Sequence, residues 1–333
     1  MLLSVLIFLK VLSSPFFWFS DTLKVTFLGD IMQHQAQLDA ARKPGADRNK
    51  PSSYDYSDYF KHIGPKLAKS DLRVANMETT FAKPPYSGYP NFNSPITLLE
   101  YCKQGGIDLF LSANNHICDK GRGGIEGTIS AYNSIRVPYA GAYRDMAERN
   151  SIYPLIIELK GVRLAILNYT YGTNGIPVPP PYIVNLLDSV QIRRDILRAG
   201  EMEADVVIAC LHWGEEYKLT PSDSQRRWKR FFNNNGVNII VGSHPHVIQP
   251  VETERELSGE VSRITAYSLG NAISNMTAPN TRTGMMLTIR IVRERFGKIR
   301  VIEPQYELIS TSRPGQIEKN FTILPGEYRA NRR

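Results

Sequence analysis

Residues 237–250, VNIIVGSHPHVIQP, run from an apolar, β-branched stretch straight into two histidines that flank a proline. The short continuous apolar run reads as a strand buried on both faces. His244 and His246 stand where such a strand must surface. Histidine is scarce in this chain, six in 333 residues, so two at one strand end call for a chemical reason. In an extended segment residues i and i+2 point the same way at about 3.3 Å rise per residue, and Pro245 is barred from a helix interior. The two imidazoles are therefore expected extended and parallel, roughly 6–7 Å apart, a spacing at which each can serve one of two ions about 3.5–4 Å apart. A single ion would ordinarily take wider-spaced residues or a helical i, i+4 pair.

Outward from this stretch, short β-branched runs alternate with amphipathic ones, the pattern of an α/β fold with largely buried strands. Strands are expected at 23–29, 71–77, 107–113, 204–212, 237–243 and 262–271, and antiparallel hairpins at 153–169, turning at Lys160-Gly161, and at 283–309. Helices are expected at 56–70, at 94–106 with Ser94 as N-cap and Pro95 first in the helix, at 123–136, at 188–200 opening on Asp188, and at 222–236 between Ser222 and Gly236. Residues 172–185, GTNGIPVPPPYIVN, are too rich in proline and glycine for a regular element and read as a long ordered loop or lid. No internal repeat and no linker interrupts the series, so one mixed α/β domain over 22–312 is the economical reading.

Open α/β sheets bind ligands at the C-terminal ends of their strands. Asp30 follows VTFLG, with His34 four residues on; Asn76 and Glu78 follow LRVA; Asn114, Asn115, His116 and Asp119 follow LFLSA. His212 with Glu215 and Glu216 follows VVIACL, His244 and His246 follow IIVGS, and Asn271 follows AYSLG. Five of the six histidines thus stand at strand ends, His62 being the exception. One such histidine is commonly a satisfied rim residue; five together with carboxylates and carboxamides imply a shared metal or catalytic site. A two-metal centre with Asp30, Glu78, Asn115, His212, His244 and His246 as candidate ligands follows. A nitrogen and oxygen donor set without thiolate suits manganese, iron or zinc better than calcium or copper. Glu215 and Glu216 cannot both enter the site, since adjacent side chains diverge. Trp213 and Tyr217 stack on substrate or pack in the core, Asn271 supports a ligand or turns the chain, and Gly29 gives the chain room to turn rather than cradling phosphate.

The formal charge of +8 favours anionic partners, but the basic residues are dispersed and no Lys/Arg block with interleaved aromatics suggests nucleic acid. Cys102, Cys118 and Cys210 show neither disulfide nor zinc-knuckle spacing and read as buried thiols. Residues 1–21 begin with an apolar run too short to cross a bilayer, ending near Ser13 and Ser14, and suit an export signal or membrane tether without a basic lead. Residues 313–333 read as a polar, solvated tail.

The stretches FLGDIMQH (27–34), NMETTF (76–81), LSANNHICDKG (111–121), LHWGEEY (211–217), VGSHPHVIQP (241–250) and YSLGN (267–271), in this order and spacing, resemble the poly-γ-glutamate capsule-synthesis family, the CapA-type proteins of the metallophosphatase (calcineurin-like) superfamily. The resemblance implies a four-layer αββα sandwich of two mixed β-sheets. Carried onto this chain, it implies that Asp30 and His246 hold a first ion and that Asn115, His212 and His244 hold a second. His116, partnered by Asp119, becomes the acid or electrostatic stabiliser. Two departures stand out. The first histidine lies at Asp30 plus four instead of plus two, so His34 is a ligand, a substrate contact or a rim residue; and Glu78 replaces the usual bridging aspartate, so that it bridges, binds one ion, or binds none. Asn76, Asn114, Glu215 and Asn271 join His34 as candidates for substrate or supporting contacts.

Three functions follow from these readings. One is a capsule-type factor at the cell envelope with a dinuclear site, binding, trimming or helping export an anionic polymer, with a membrane-bound synthase or export complex as partner. The second is a free-standing metal-dependent phosphoesterase. The third is a polymer-binding protein in which the metal is structural.

Overall fold

The computed structural model describes residues 22–294 and 297–328. The signal-like segment expected at 1–21 lies outside the described residues. The chain runs β1 (Thr22–Ile31), α1 (Gln35–Ala41), α2 (Gly64–Leu67), β2 (Leu72–Met77), α3 (Ile96–Gln104), β3 (Leu109–Leu111), α4 (Gly121–Ser134), β4 (Tyr139–Ala140), β5 (Ala142–Tyr143) and α5 (Met146–Ile152). It continues β6 (Leu155–Leu159), β7 (Val162–Thr170), β8 (Ile183–Val184), α6 (Ser189–Glu201), β9 (Val206–His212), α7 (Asp223–Asn234), β10 (Ile239–Ser243), β11 (Val251–Arg255), β12 (Val261–Ala266), β13 (Asn271–Ile273), β14 (Thr283–Arg293), β15 (Ile299–Ser312) and β16 (Thr322–Pro325).

The strand order is β4-β3-β2-β1-β14-β15-β12-β10-β9-β7-β6. The first six and last five form two halves that meet at one residue pair, Val261 opposite Val301. Alternation along each strand explains how the halves stack. Val162, Leu164 and Ile166 of β7 and Val206, Ile208 and Cys210 of β9 share one cluster with Val25, Phe27 and Val74 of the other half. The intervening residues Ala165, Leu167, Val207 and Ala209 face outward onto Ile192, Ile196 and Ala199 of α6 and Phe232 of α7. On the far side Ala75, Met77 and Phe110 meet Leu98, Leu99 and Cys102 of α3 and Ile125 and Ile129 of α4. Helix, sheet, sheet, helix is the resulting order of layers. The two expected sheets are thus one sheet folded over at its β12–β15 seam. The three cysteines are free and buried, as expected.

Local sequence explains most element ends. Asp188 accepts from the amides of Val190 and Gln191, and Ser222 with Gln225 forms a reciprocal capping box. The 153–169 hairpin turns at Lys160 and Gly161, both with positive φ. Three expectations fail. The helix over 56–70 shrinks to the single turn of α2, because Pro65 is tolerated only in a helix's first turn and so forces the start to Gly64. Pro95 is the N-cap of α3 rather than its first helical residue, with Ser94 one place earlier. The described part of the tail, 313–328, is solvated only in part: 314–317 and 325–327 are exposed, but β16 pairs with β15, and Phe321 and Ile323 are fully buried in the α3–α4 layer's core.

Candidate metal centre

The parallel strands of both halves deliver their C-terminal ends to one place. Asp30 is the next-to-last residue of β1, Asn76 the next-to-last of β2 with Glu78 just beyond its end, Asn114–His116 follow β3, His212 closes β9, and His244 and His246 follow β10. Asn168 of β7 staples the halves there: its Oδ1 accepts the Ser112 and Ala113 amides, and its Nδ2 donates to the Cys210 carbonyl. Gly29 lets the chain at Gly270 pass against β1, since a Cβ would lie 1.8 Å from the Gly270 carbonyl oxygen. The glycine was expected to let the chain turn; it sits inside β1 and permits a close backbone approach instead.

The two histidines of the opening stretch are not extended. His244 has φ 96° and His246 φ 57°, both left-handed, and the segment bends through Pro245. Such conformations cost about 1–3 kcal/mol each and persist where surrounding contacts over-determine them. Here the His244 amide donates to Asp30 Oδ2 at 3.2 Å, which pins the bend. The rings nevertheless converge, their centroids 5.9 Å apart, and His244 lies 4.7 Å from His212.

Glu78 sits at the middle. Its Oε1 is 3.5 Å from His212 Nε2 and 3.9 Å from His246 Nε2. Two three-residue groups have ligand atoms mutually within 4.8 Å, Glu78 with His244 and His246, and Asp30 with Glu78 and His212; the carboxylate of Glu78 belongs to both. Asp30 Oδ2 is 3.3 Å from His246 Nδ1, and Asn115 Oδ1 is 2.9 Å from His212 Nε2. All six candidate ligands are buried.

A ring of carboxamides orients them. Asn76 Nδ2 donates to Asp30 Oδ1 at 2.7 Å, Asn114 Nδ2 donates to the Met77 carbonyl while its Oδ1 takes the His116 amide, and Asn271 Oδ1 lies 3.0 Å from His246 Nδ1. Asn271 therefore supports a histidine instead of merely turning the chain. His116 Nδ1 is 2.8 Å from Asp119 Oδ2, an oxygen that also accepts the Phe92 amide. Asp119 thus holds the proton on Nδ1 and leaves Nε2 free for proton transfer.

His34 stands at the margin. Its Nδ1 lies 3.2 Å from both the Asn275 amide, which donates to it, and Gln37 Oε1; the Asn275 bond is made by the tautomer that carries its proton on Nε2, which leaves that nitrogen without a lone pair. Burial, opposed by its Gln37 contact, holds His34 down at about 4, which keeps the ring neutral. Glu215 and Glu216 are both exposed, and Glu216 is the one whose charge bears on Glu78 and His246. Trp213 is core, its Nε1 donating to the Tyr267 carbonyl, whereas Tyr217 is half-exposed with its ring 6.4 Å from His246.

Four neighbours escaped the sequence reading. Tyr171 lies 4.7 Å from the His244 ring, Asn174 Oδ1 takes the Asn115 Nδ2 proton and so turns the Asn115 oxygen to His212, Ser243 Oγ is 3.0 Å from His212 Nδ1, and Phe92 packs on both His34 and His116. Tyr171 and Asn174 follow the end of β7, and the strand-end rule applied there would have found them.

The electrostatics test whether a cation fits. Burial, then the charge of Asp30, pushes the Glu78 carboxyl well above its usual range. Burial, then His244 and His246, holds His212 far below an ordinary imidazole, and burial, then His246, brings His244 down to about 3. For His246 burial pulls downward most strongly of any one cause, but its hydrogen bond to Asp30, the charges of Asp30 and Glu216 and the Asn271 contact together outweigh it and the ring titrates above its ordinary value. Both Glu78 oxygens and His244 Nδ1 are buried without any hydrogen-bond partner among the described residues. An unpaired buried polar group costs roughly 1–3 kcal/mol, more when charged. A cation bound by neutral imidazoles and carboxylates answers all three orphaned atoms at once, so these residues fit a divalent metal.

The chain is similar to known proteins over most of its length. The capsule biosynthesis protein CapA of Bacillus anthracis is 27% identical over 283 residues, covering 80% of this chain and 64% of that protein. The PGA biosynthesis protein CapA of Bacillus subtilis (strain 168) is 26% identical over 302 residues, covering 84% and 71%. This chain therefore spans just under two thirds of the length of the Bacillus anthracis relative. Among solved structures, the NAD nucleotidase (NadN) of Haemophilus influenzae matches with a TM-score of 0.50 at 12% identity, covering 88% of this chain and 58% of that one. At that identity the likeness concerns fold alone, and the four-layer, metallophosphatase-like sandwich is the one observed. The model of the family described as bacterial capsule synthesis protein PGA_cap matches residues 24–276, and this chain belongs to that family.

Proposed function

We propose that the chain is a capsule-synthesis factor of the cell envelope whose strand-end cluster is a dinuclear hydrolytic site acting on an anionic polymer. The observation that carries this reading is Glu78, a fully buried carboxylate with no hydrogen-bond partner among the described residues, set between His212 and His246. Asp30, Glu78, Asn115, His212, His244 and His246 would hold the ions. The donor set favours manganese, iron or zinc. Divalent ions there supply acidified water and positive charge against an anionic transition state. His116, its Nδ1–H held by Asp119, takes up at Nε2 the proton released by the attacking water and passes it to the leaving group. His34 donates its Nε2–H to an anionic oxygen of the substrate. Tyr171 and Tyr217 flank the histidines as apolar walls.

The capsule-related relatives and the net charge of +8 support a polyanionic substrate at the envelope. Residues 1–21 then serve as export signal or tether, and a membrane-bound synthase or export complex is the natural partner. Among the described residues no helix is long and apolar enough to cross a membrane. Elemental analysis of the purified full chain should return two divalent ions, falling on Glu78→Ala. Manganese-dependent shortening of poly-γ-glutamate, abolished by His212→Ala, is the expected activity. Cleavage of a chromogenic phosphodiester with the polymer untouched selects the phosphoesterase instead. Metal that raises the melting temperature without any turnover selects the structural role.

A further inference from the structure

At the opposite end of β1 from Asp30, about 20 Å away at 3.3 Å per residue, the sheet carries a second cluster that the metal centre does not use. Lys24 and Arg290 stand directly opposite each other on β1 and β14, and so do Thr26 and Thr288, whose hydroxyls are 2.7 Å apart on that same face. Like charges facing across antiparallel strands repel and destabilise a sheet. The Asp71 carboxylate bears on Lys24 but is shared with Lys160, and Arg290 has no such neighbour among the described residues. Neither side chain forms an ion pair among the described residues, and Arg290 Nε is buried without a partner. The nearby carboxylates are already engaged, Asp71 by Lys160 and the Lys24 amide, and Glu307 by Lys66.

The floor is polar and has a proton to spare. Ser70, Thr26 and Thr288 form a row of three hydroxyls joined by two hydrogen bonds, which leaves one O–H uncommitted. Lys69 adds a further cation at the edge of the cavity, whose volume is about 190 Å³. That is below the roughly 300–1,000 Å³ of drug-sized ligand sites, but it admits a single tetrahedral anion. We propose that Lys24, Arg290 and Lys69, over the Thr26–Thr288 floor, form a phosphate-binding site, taking either free phosphate or the phosphate of a lipid headgroup. A phosphate supplies two charges between the opposed cations and acceptor oxygens for the Arg290 donors and the spare hydroxyl. Its position far from Glu78 makes it independent of the hydrolytic reading.

The test uses the full chain stripped of metal by chelator, so that the strand-end centre takes no phosphate, at low ionic strength. Inorganic phosphate should bind in calorimetric titration and raise the melting temperature. Arg290→Gln and Lys24→Gln should each weaken binding at least tenfold, and each should melt above the parent in phosphate-free buffer, because the facing like charges are gone. Lys24 is exposed, so its variant carries the test should Arg290→Gln fail to fold. Vesicles of phosphatidic acid, compared with phosphatidylcholine, separate the sources. Retention that is lost in both variants and competed by phosphate assigns a headgroup; phosphate binding without such retention assigns the free ion. The proposal is overturned if phosphate affinity is unchanged in both variants, if the variants melt below the parent without phosphate, or if polyglutamate binds there and phosphate does not.

Discussion

Replacing Glu78 by glutamine should stabilise the metal-free protein while abolishing its response to metal. With no cation present, burial and Asp30 keep the Glu78 carboxyl titrating well above its ordinary value of 4.5. An acid whose folded pKa is raised binds more protons folded than unfolded, so stability falls as pH rises through and above 4.5. A buried polar group left unpaired costs roughly 1–3 kcal/mol and more when charged, so at neutral pH the penalty on Glu78 is about 3 kcal/mol. Glutamine removes that cost and keeps the shape. With unfolding entropies of about 2.1 cal/mol/K per residue, 3 kcal/mol corresponds to ~4 °C in melting temperature for a chain of this size. The assay is differential: calorimetric melting of metal-stripped parent and Glu78→Gln from pH 5 to 7.5. The difference cancels the histidines, of which His212 and His244 favour higher pH and His246 lower. The gap between variant and parent should widen with pH. The variant should also show no loss of melting temperature on chelation, whereas the metal-loaded parent does. A variant less stable than the stripped parent, or one still sensitive to chelator, refutes the assignment of Glu78 as a buried carboxylate waiting for a cation.

Gly29→Ala should prevent folding or cost more than about 4 kcal/mol, since the new Cβ meets backbone on the crossing strand at 1.8 Å and neither chain can give way; soluble yield and melting temperature report it. Phe321→Ala should cost about 3–5 kcal/mol, which a truly solvated tail would not lose, and chemical denaturation measures it. Asn174→Ala leaves the Asn115 amide without its acceptor and should weaken metal retention roughly 10–100-fold, the usual effect of an orienting partner, with the fold unchanged by circular dichroism; equal metal affinity would free Asn115 of this dependence.

The layers were legible because strands buried on both faces must be apolar throughout. VVIACLH and IIVGS could be nothing exposed, and β9 and β10 are buried at every residue. Helix ends marked by a side-chain oxygen, Asp188 and Ser222, were legible for the same local reason. The failures share a different cause. In residues 56–70 the apolar spacing is helical, yet Tyr56, Tyr59, Phe60 and Ile63 are buried by a chain that mostly turns, so tertiary packing produced the same periodicity. In the tail, four residues of strand sit among exposed polar neighbours, and average composition hides the two side chains that matter, Phe321 and Ile323.

The site shows where local geometry and residue choice part company. An i, i+2 pair was expected to aim two imidazoles in parallel because the backbone was taken as extended. Instead both residues occupy left-handed conformations, and their rings meet by bending around Pro245 under a hydrogen bond from the His244 amide to Asp30, 214 residues away. No local rule contains that contact. What survived was the coarser inference, that scarce imidazoles placed at the ends of several buried parallel strands share one edge of the molecule, because topology alone brings those ends together. The residues that set the finer geometry, Asn168, Asn174 and Ser243, belong to types common in any turn. They acquire meaning only from partners distant in sequence, as with Asn168 fastening Ser112 and Ala113 to Cys210. In this fold the chemistry-bearing residues are readable because they are rare, and the residues that aim them are unreadable because they are not.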